Sequence, residues 1–241
     1  MTNFKNYYEQ NLKETKQKIK DSVNDDNLII QTINCIEELD KTSNLLLRRL
    51  REWYELYNPE FSKKFADNNK FIEILNEKTD KKNKTSMGSD LSEKELEPIY
   101  DLAKQIKDLY ELQDRYDRYL EIIMKRHCPN ITYIAGCLIA AKLLEHAGSL
   151  KRLSIMTAST IQLLGAEKAL FRHMKTGARS PKHGIILQHQ FLQRSKPKNR
   201  GKAARALADK LSIAAKVDYF KGDFVGKHIK EELEKKINAF S

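Results

Sequence analysis

Apolar positions recur at steps of three and four along most of this chain, the spacing of one face of an α-helix. From Asn27 to Tyr57 the series is Ile29, Ile33, Ile36, then Leu46, Leu50, Trp53 and Tyr57. Pro59 closes it, because the residue before a proline avoids the helical region. From Ser92 to His127 the series is Leu96, Ile99, Leu102, Ile106, Leu109, Tyr116, Leu120 and Ile123. Ser92-Glu93-Lys94-Glu95 opens it as a capping box, in which Ser and Glu side chains satisfy free backbone amides. Each stripe is too narrow for burial on all sides. The pattern therefore predicts an antiparallel hairpin, stripe against stripe, resembling a coiled coil with arms of about 45 Å per 30 residues. Spare apolar surface near the tip of such a hairpin suits self-association, a plain spacer being the alternative. Ile36, Leu46, Leu50, Trp53, Leu102, Ile106 and Leu109 are the candidate dimerisation positions.

The flanking segments read differently. Residues 3–22 form a polar helix with few apolar anchors, marginal by itself. A short helical stretch covers 68–75, and residues 76–90, NEKTDKKNKTSMGSD, predict an exposed, mobile loop. Beyond Pro129, Ile131–Glu145 is an apolar, Ala-rich run stopped by Gly148. A helix through Leu170 to Lys175 ends near Gly177, and Ser180–His189, with Pro181, Gly184 and Ile185-Ile186-Leu187, fits a small hairpin or a loop. Gly201–Val217 is an Ala-rich helix and Lys227–Phe240 a last amphipathic one. Strands would need more turn residues than 5 Pro and 9 Gly supply, so the class is all-α. The expected division is an N-terminal helical extension (1–26), a coiled-coil domain (27–128), a compact basic helical domain (129–225) and a C-terminal helix (226–241).

Charge sharpens this picture. The net charge is +11, and its excess sits in one segment: Pro129–Lys221 holds 17 Lys/Arg against 4 Asp/Glu, while the rest of the chain holds 27 against 29. An even spread would mean solubility alone. A concentrated one is what a phosphate-binding face requires, since each neutralised phosphate releases counterions. Nucleic acid is the first candidate partner and an anionic membrane the second. Lys198, Arg200, Lys202 and Arg205 crowd a helix start, where free amides and the positive dipole end also attract phosphate. Lys168, Arg172, His173 and Lys175 form a second cluster at helical steps of three and four. His183 and Gln188, in a loop, could donate to bases or stack on them. A solvated charged face is the bland reading of either cluster, and a core role that of a lone histidine.

Other classes find little support. His183 and His189 lie six apart, His146 and His173 are isolated, and no HxxxH or CxxC spacing occurs, so no metal is expected. Cys137 sits in an apolar run, where a free cysteine behaves as a small hydrophobe. There is no nucleophile elbow, Walker loop or dinucleotide fingerprint, so neither a catalytic residue nor a cofactor is assigned. Cys35, Cys128 and Cys137 lack a paired spacing and suit a reducing interior. No run of 18 apolar residues exists and the first 20 residues lack a secretory apolar core, so neither a membrane span nor a signal is expected.

Four stretches carry a family resemblance: PNITYIAGCLIAAKLLEHAGSL, ASTIQLLGAEKALFRHMKTG, SPKHGIILQH and RGKAARALADKLSIAAKVDYF. Together residues 129–220 resemble the Nop domain of box C/D ribonucleoprotein scaffolds and of the related pre-mRNA-splicing factor. LDKTSNLLLRRLREWYELYNPEF and ADNNKFIEIL resemble the coiled coil that precedes it in the same family. GAEKALF, PKHG and VDYFKGDF look more like archaeal members. The resemblance implies an all-helical, non-enzymatic scaffold that guides ribose 2′-O-methylation of rRNA or tRNA. It implies a coiled-coil homodimer and joint binding of a kink-turn guide RNA with a small ribosomal-type kink-turn protein. By match, Gly165, Ala166, Glu167 and Lys168, then Ala169, Leu170, Phe171 and Arg172, correspond to signature stretches at the RNA–protein junction. Only 26 residues precede the coiled-coil motif, where archaeal relatives carry a domain that grips the S-adenosylmethionine-dependent methyltransferase fibrillarin. Association with fibrillarin is therefore expected to be indirect. The implied location is the cytoplasm in an archaeon and the nucleolus in a eukaryote. A splicing-type factor and a helical module that binds acidic proteins are the competing readings.

Overall fold

A computed structural model describes residues 2–79, 82 and 86–238, and every regular element among them is helical. The chain divides into two compact units, residues 34–119 and residues 1–33 with 120–241. Two long helices, α2 (Asp25–Tyr54) and α5 (Glu93–His127), contribute to both.

In the 34–119 unit the hairpin has a third member. Between the long helices the chain forms α3 (Pro59–Lys64) and α4 (Asn68–Asn76). Phe71, Ile72 and Leu75 of α4 enter one core with Leu47, Leu50 and Tyr54 of α2 and Leu96, Ile99, Ala103 and Ile106 of α5. The aromatic rings of Tyr54, Phe61 and Phe71 meet edge to face or tilted at 5.5–5.9 Å between centroids. Arg51 locks this corner: its guanidinium lies 4.3 Å over the Phe71 ring and donates to the carbonyls of Ser62 and Phe65 and to Asn68 Oδ1. The expected stripe-on-stripe pairing is thus a three-helix core.

The capping box at Ser92 forms in part. Glu95 Oε2 accepts the Ser92 backbone N–H at 2.8 Å, but the Ser92 hydroxyl also donates to it at 2.7 Å. Those donors hold the Glu95 carboxyl below its ordinary pKa. Of the predicted mobile loop, residues 80, 81 and 83–85 lie outside the described residues. Its remainder is tied down: Lys82 Nζ donates to Gly88 O, Ser89 O and Asp90 Oδ1, and the Ser89 N–H donates to Leu56 O. Gly88 permits this, because a Cβ there would lie 2.0 Å from Tyr57 O.

The other unit begins with α1 (Thr2–Ser22) and the first turns of α2. Buried Asp26 ties three elements, accepting from His127 at the end of α5 (2.7 Å) and from the Leu150 N–H (3.2 Å). Asp25 meets Arg126 at 2.7 Å. The apolar run after Pro129 is two helices, α6 (Pro129–Ala135) and α7 (Cys137–Ala147), where one was expected. Gly136, at φ +82°, makes the break, a conformation costly for other residues. Then follow α8 (Leu150–Ile155), α9 (Ala158–Leu163), α10 (Glu167–Thr176), a 3₁₀ turn (Ile185–Gln188), α11 (Gln190–Arg194), α12 (Arg200–Tyr219) and α13 (Gly226–Asn238).

Helix α12 is the centre of this unit, packed by α6, α8, α9 and α13. Ala203, Ala204, Ala206, Ala208, Ala214 and Ala215 are buried along it, and such small side chains let neighbouring backbones approach closely. Its Asp218 is buried at the start of α6, where it accepts from the backbone N–H groups of Asn130 (3.0 Å) and Ile131 (2.9 Å) and from Asn130 Nδ2 (2.8 Å). Burial raises the Asp218 pKa and these three donors oppose the rise. Asn130 Oδ1 in turn accepts the Val225 N–H, fastening the approach to α13.

Candidate nucleic-acid interface

Helix α10 has no buried residue. Lys168, Arg172 and Lys175 are exposed on it, as are Phe171 and Met174. Its start is fixed by Gly165 at φ +81°, whose N–H donates to Glu167 Oε1 at 2.7 Å. The Glu167 carboxylate therefore serves its own turn, and Ala166 stands at the cap position. Ala169 and Leu170 are half-buried and root the helix. At its far end Gly177 takes the left-handed conformation, and half-buried His173 contacts the Ala178 carbonyl through Nδ1. That bond gives His173 a local structural job, so its ring is not free for a ligand on that side.

The loop carrying His183 is held against the end of α9, just before the turn into α10. Gly184 N donates to Gln162 O, Ile185 N to Leu164 O, both at 2.8 Å, and Gln162 Nε2 donates to Lys182 O at 2.6 Å. Two glycines make the approach possible. A Cβ on Gly184 would lie 1.8 Å from Leu164 O, and one on Gly165 would lie 2.4 Å from Ile185 Cγ1. Half-buried His183 thus lies in a loop fastened to the end of α9, whose Ile185 packs against Gly165. Sequence reasoning missed this interlock, whose only trace is a glycine in each segment. The Ile185–Leu187 run, read as hairpin or loop, is a 3₁₀ turn packed on α12, with exposed Gln188 at its end.

His189 follows and is structural. Its Nε2–H donates to Ile134 O at 2.9 Å, which leaves Nδ1 to accept the Phe191 N–H at 3.2 Å and cap α11. Burial lowers its pKa below the ordinary 6.5, outweighing the Ile134 bond.

In the second basic cluster Lys198, Lys202 and Arg205 are exposed. Arg200 is half-buried and donates through Nε to Ser195 O at 3.2 Å, so it shapes the turn into α12. Lys168, Arg172, Lys175, Lys198 and Arg205 enter no salt bridge among the described residues. Lys210, on α12, is engaged by Glu232. Among the described residues no group of His, Cys, Asp and Glu could hold a metal ion, and no helix is long and apolar enough to cross a membrane.

The candidate dimerisation positions fare unevenly. Ile36, Leu50 and Ile106 lie in the interior of their own chain, at 5%, 0% and 0% exposure, and cannot meet a second copy as the fold stands. Leu46, Leu102 and Leu109 are half-buried. Of the seven only Trp53 is exposed, with Leu45 and Leu56 near it in sequence on or just beyond α2.

A unit of long helices and a unit of short helices bearing exposed cations define an all-helical class of interaction protein. Comparison with known proteins identifies the family. Residues 35–239 match the family described as Nop, snoRNA binding domain, fibrillarin. The chain belongs to this family. It is 42% identical over 234 residues to a NOP5 family protein of Methanocaldococcus jannaschii, covering 88% of this chain and 56% of that protein. It is 36% identical over 257 residues to nucleolar protein 56 of Schizosaccharomyces pombe, covering 94% and 52%. The chain thus spans about half the length of these curated relatives. A solved structure of a fibrillarin/Nop5p complex is similar in fold, with a TM-score of 0.60 at 28% identity over 98% of this chain and 80% of that one.

Proposed function

We propose that this chain is the RNA-binding scaffold of a box C/D-type ribonucleoprotein that guides ribose 2′-O-methylation. The basic unit grips a kink-turn guide RNA together with a small kink-turn-binding protein, and catalysis belongs to another subunit. One observation carries the reading: α10 stands clear of the core with Lys168, Arg172 and Lys175 unpaired beside exposed Phe171 and Met174. Cations alone would suit a naked phosphate backbone. Cations mixed with large apolar side chains suit a composite surface of RNA and protein. His183, Gln188, Lys198, Lys202 and Arg205 of the same unit are the further RNA-facing residues of this reading. Self-association through the 34–119 unit uses Trp53 and its exposed neighbours.

Gel shifts with a kink-turn RNA, with and without the small partner protein, over a salt series test this. Binding should require the partner, with a log–log salt slope of several units at about −0.7 to −0.9 per phosphate contact. A chain that ignores the RNA–protein complex and binds an acidic protein would overturn the reading. For self-association, Trp53→Asp with Leu56→Asp should shift sedimentation toward monomer without lowering the melting temperature.

A further inference from the structure

Between Leu164 and Ile185 the chain leaves the core and comes back to the same spot, because the Ile185 N–H donates to Leu164 O at 2.8 Å. Everything between them is an arm. Its helix, α10, has no buried residue, and no other element lies along it in extended contact. Half-buried Ala169 and Leu170 give it only a shallow root. Lys168, Arg172, Lys175, Arg179 and Lys182 are exposed on the arm, and its single acid, Glu167, is occupied by the Gly165 N–H. Few buried contacts mean low local stability, so the direction of the arm depends on how its two ends are held.

Those ends are held by one clamp. Both of its sides are anchored: Ile161 and Leu164 are buried on the α9 side and Ile186 on the other. The Gly184 N–H crosses it to Gln162 O, the Ile185 N–H to Leu164 O, and Gln162 Nε2 to Lys182 O. The crossing is tighter than side chains allow. A Cβ on Gly184 would meet backbone, with Leu164 O at 1.8 Å and Leu164 C at 2.7 Å, which yields only if the two segments part. A Cβ on Gly165 would meet a side chain, with Ile185 Cγ1 at 2.4 Å and Cδ1 at 3.0 Å. We infer that Gly165 and Gly184 are positioning residues, whose interlock fixes the direction of the cationic arm before anything binds. The inference rests on the RNA-binding reading above and adds how that surface is held ready. A loose arm would be ordered only on binding, at the expense of affinity. A held arm avoids that loss, although neither glycine touches the ligand.

Binding of the full chain to a kink-turn RNA carrying its small protein, measured over a salt series, tests the inference. Gly184→Ala should lower affinity about tenfold or more while the log–log salt slope stays that of the parent, since every cation remains. Lys168→Ala should instead flatten the slope by about 0.7–0.9, the mark of a lost phosphate contact. Gly165→Ala should also weaken binding, and adding Ile185→Ala should restore much of it, because the atoms in the way are then gone. That pair reads the interlock even where Gly184→Ala folds poorly. Gly148→Ala controls for backbone strain. Gly148 shares the φ of +81° with Gly165, but a Cβ there would come no closer than 3.4 Å to Arg152, so the melting temperature should fall and the affinity hold. Hydrogen exchange should quicken through residues 165–184 in Gly184→Ala and stay slow in α12. Unchanged affinity in both glycine variants, with the parent still binding, overturns the inference and leaves the RNA reading standing. A flattened slope in either overturns it too, because the glycines would then be contacts. So does an equal loss of affinity in Gly148→Ala, or a failure of Ile185→Ala to restore Gly165→Ala. A parent chain that ignores the RNA–protein complex overturns both the inference and the reading.

Discussion

The two units use the same kind of helix and differ in what fills their interiors and what covers them. Residues 34–119 bury large side chains, Leu50, Tyr54, Phe71 and Ile106, beneath a surface with 16 Lys/Arg and 19 Asp/Glu. The rest of the chain centres on the alanines of α12 and carries 28 Lys/Arg against 14 Asp/Glu. Close-packed small residues allow many short helices to converge, and short helices end often. Each end sets out a turn, such as Gly165–Glu167 or Lys182–Gly184, in which cations and a histidine can be presented at fixed places. Long helices with large cores make reach and stiffness; short helices on a small-residue core make a detailed surface.

Charge reversal should expose this contrast most strongly. Lys168→Glu with Arg172→Glu should lower affinity for the RNA–protein complex by about two to three orders of magnitude in gel shifts, since two charge-assisted contacts become repulsive. Lys63→Glu with Lys64→Glu, equally exposed on α3, should change it by less than about twofold. Equal losses would erase the functional distinction between the units.

Core substitutions come next: removing volume from one unit and adding volume to the other should both destabilise. Leu50→Ala leaves a cavity and should cost about 3 kcal/mol in denaturant unfolding. Ala208→Leu, fully buried on α12, forces extra atoms into a packed interior and should cost about 2 kcal/mol, while Ala208→Gly should cost less. A harmless Ala208→Leu would mean that the centre of the basic unit is loosely packed.

The smallest effect concerns acid. The His189 pKa is lowered by burial, so the unfolded chain takes up this proton first as pH falls. Its contribution to instability is absent well above 6.5, grows as pH drops through 6.5, and levels off below the folded value. Urea midpoints measured from pH 8 to 5 should therefore fall less steeply in His189→Gln than in the parent chain.

The long helices were legible because a stripe of period 3.6 survives over many turns, and the basic segment because charge counts need no coordinates. The role of α4 was not legible. Phe71, Ile72 and Leu75 announce a short helix, but nothing local says that it joins the seam between α2 and α5. That misreading also placed Ile36, Leu50 and Ile106 at an interface when they serve their own core. The Gly165–Gly184 interlock was equally hidden, because the near collision of two distant backbones leaves no periodicity. His173, His189 and Arg200 looked alike as polar residues in a basic segment, and only their partners, Ala178 O, Ile134 O and Ser195 O, give them structural work.

The Asp218 carboxylate has a consequence for how the molecule is made. The amides it receives at Asn130 and Ile131 lie 88 and 87 residues earlier in the chain. At roughly 5–20 residues per second on the ribosome, the opening turn of α6 waits about 4–18 s for its acceptor to be synthesised. Until then those amides have only water to satisfy them, so the docking of α6 on α12 waits until α12 has emerged.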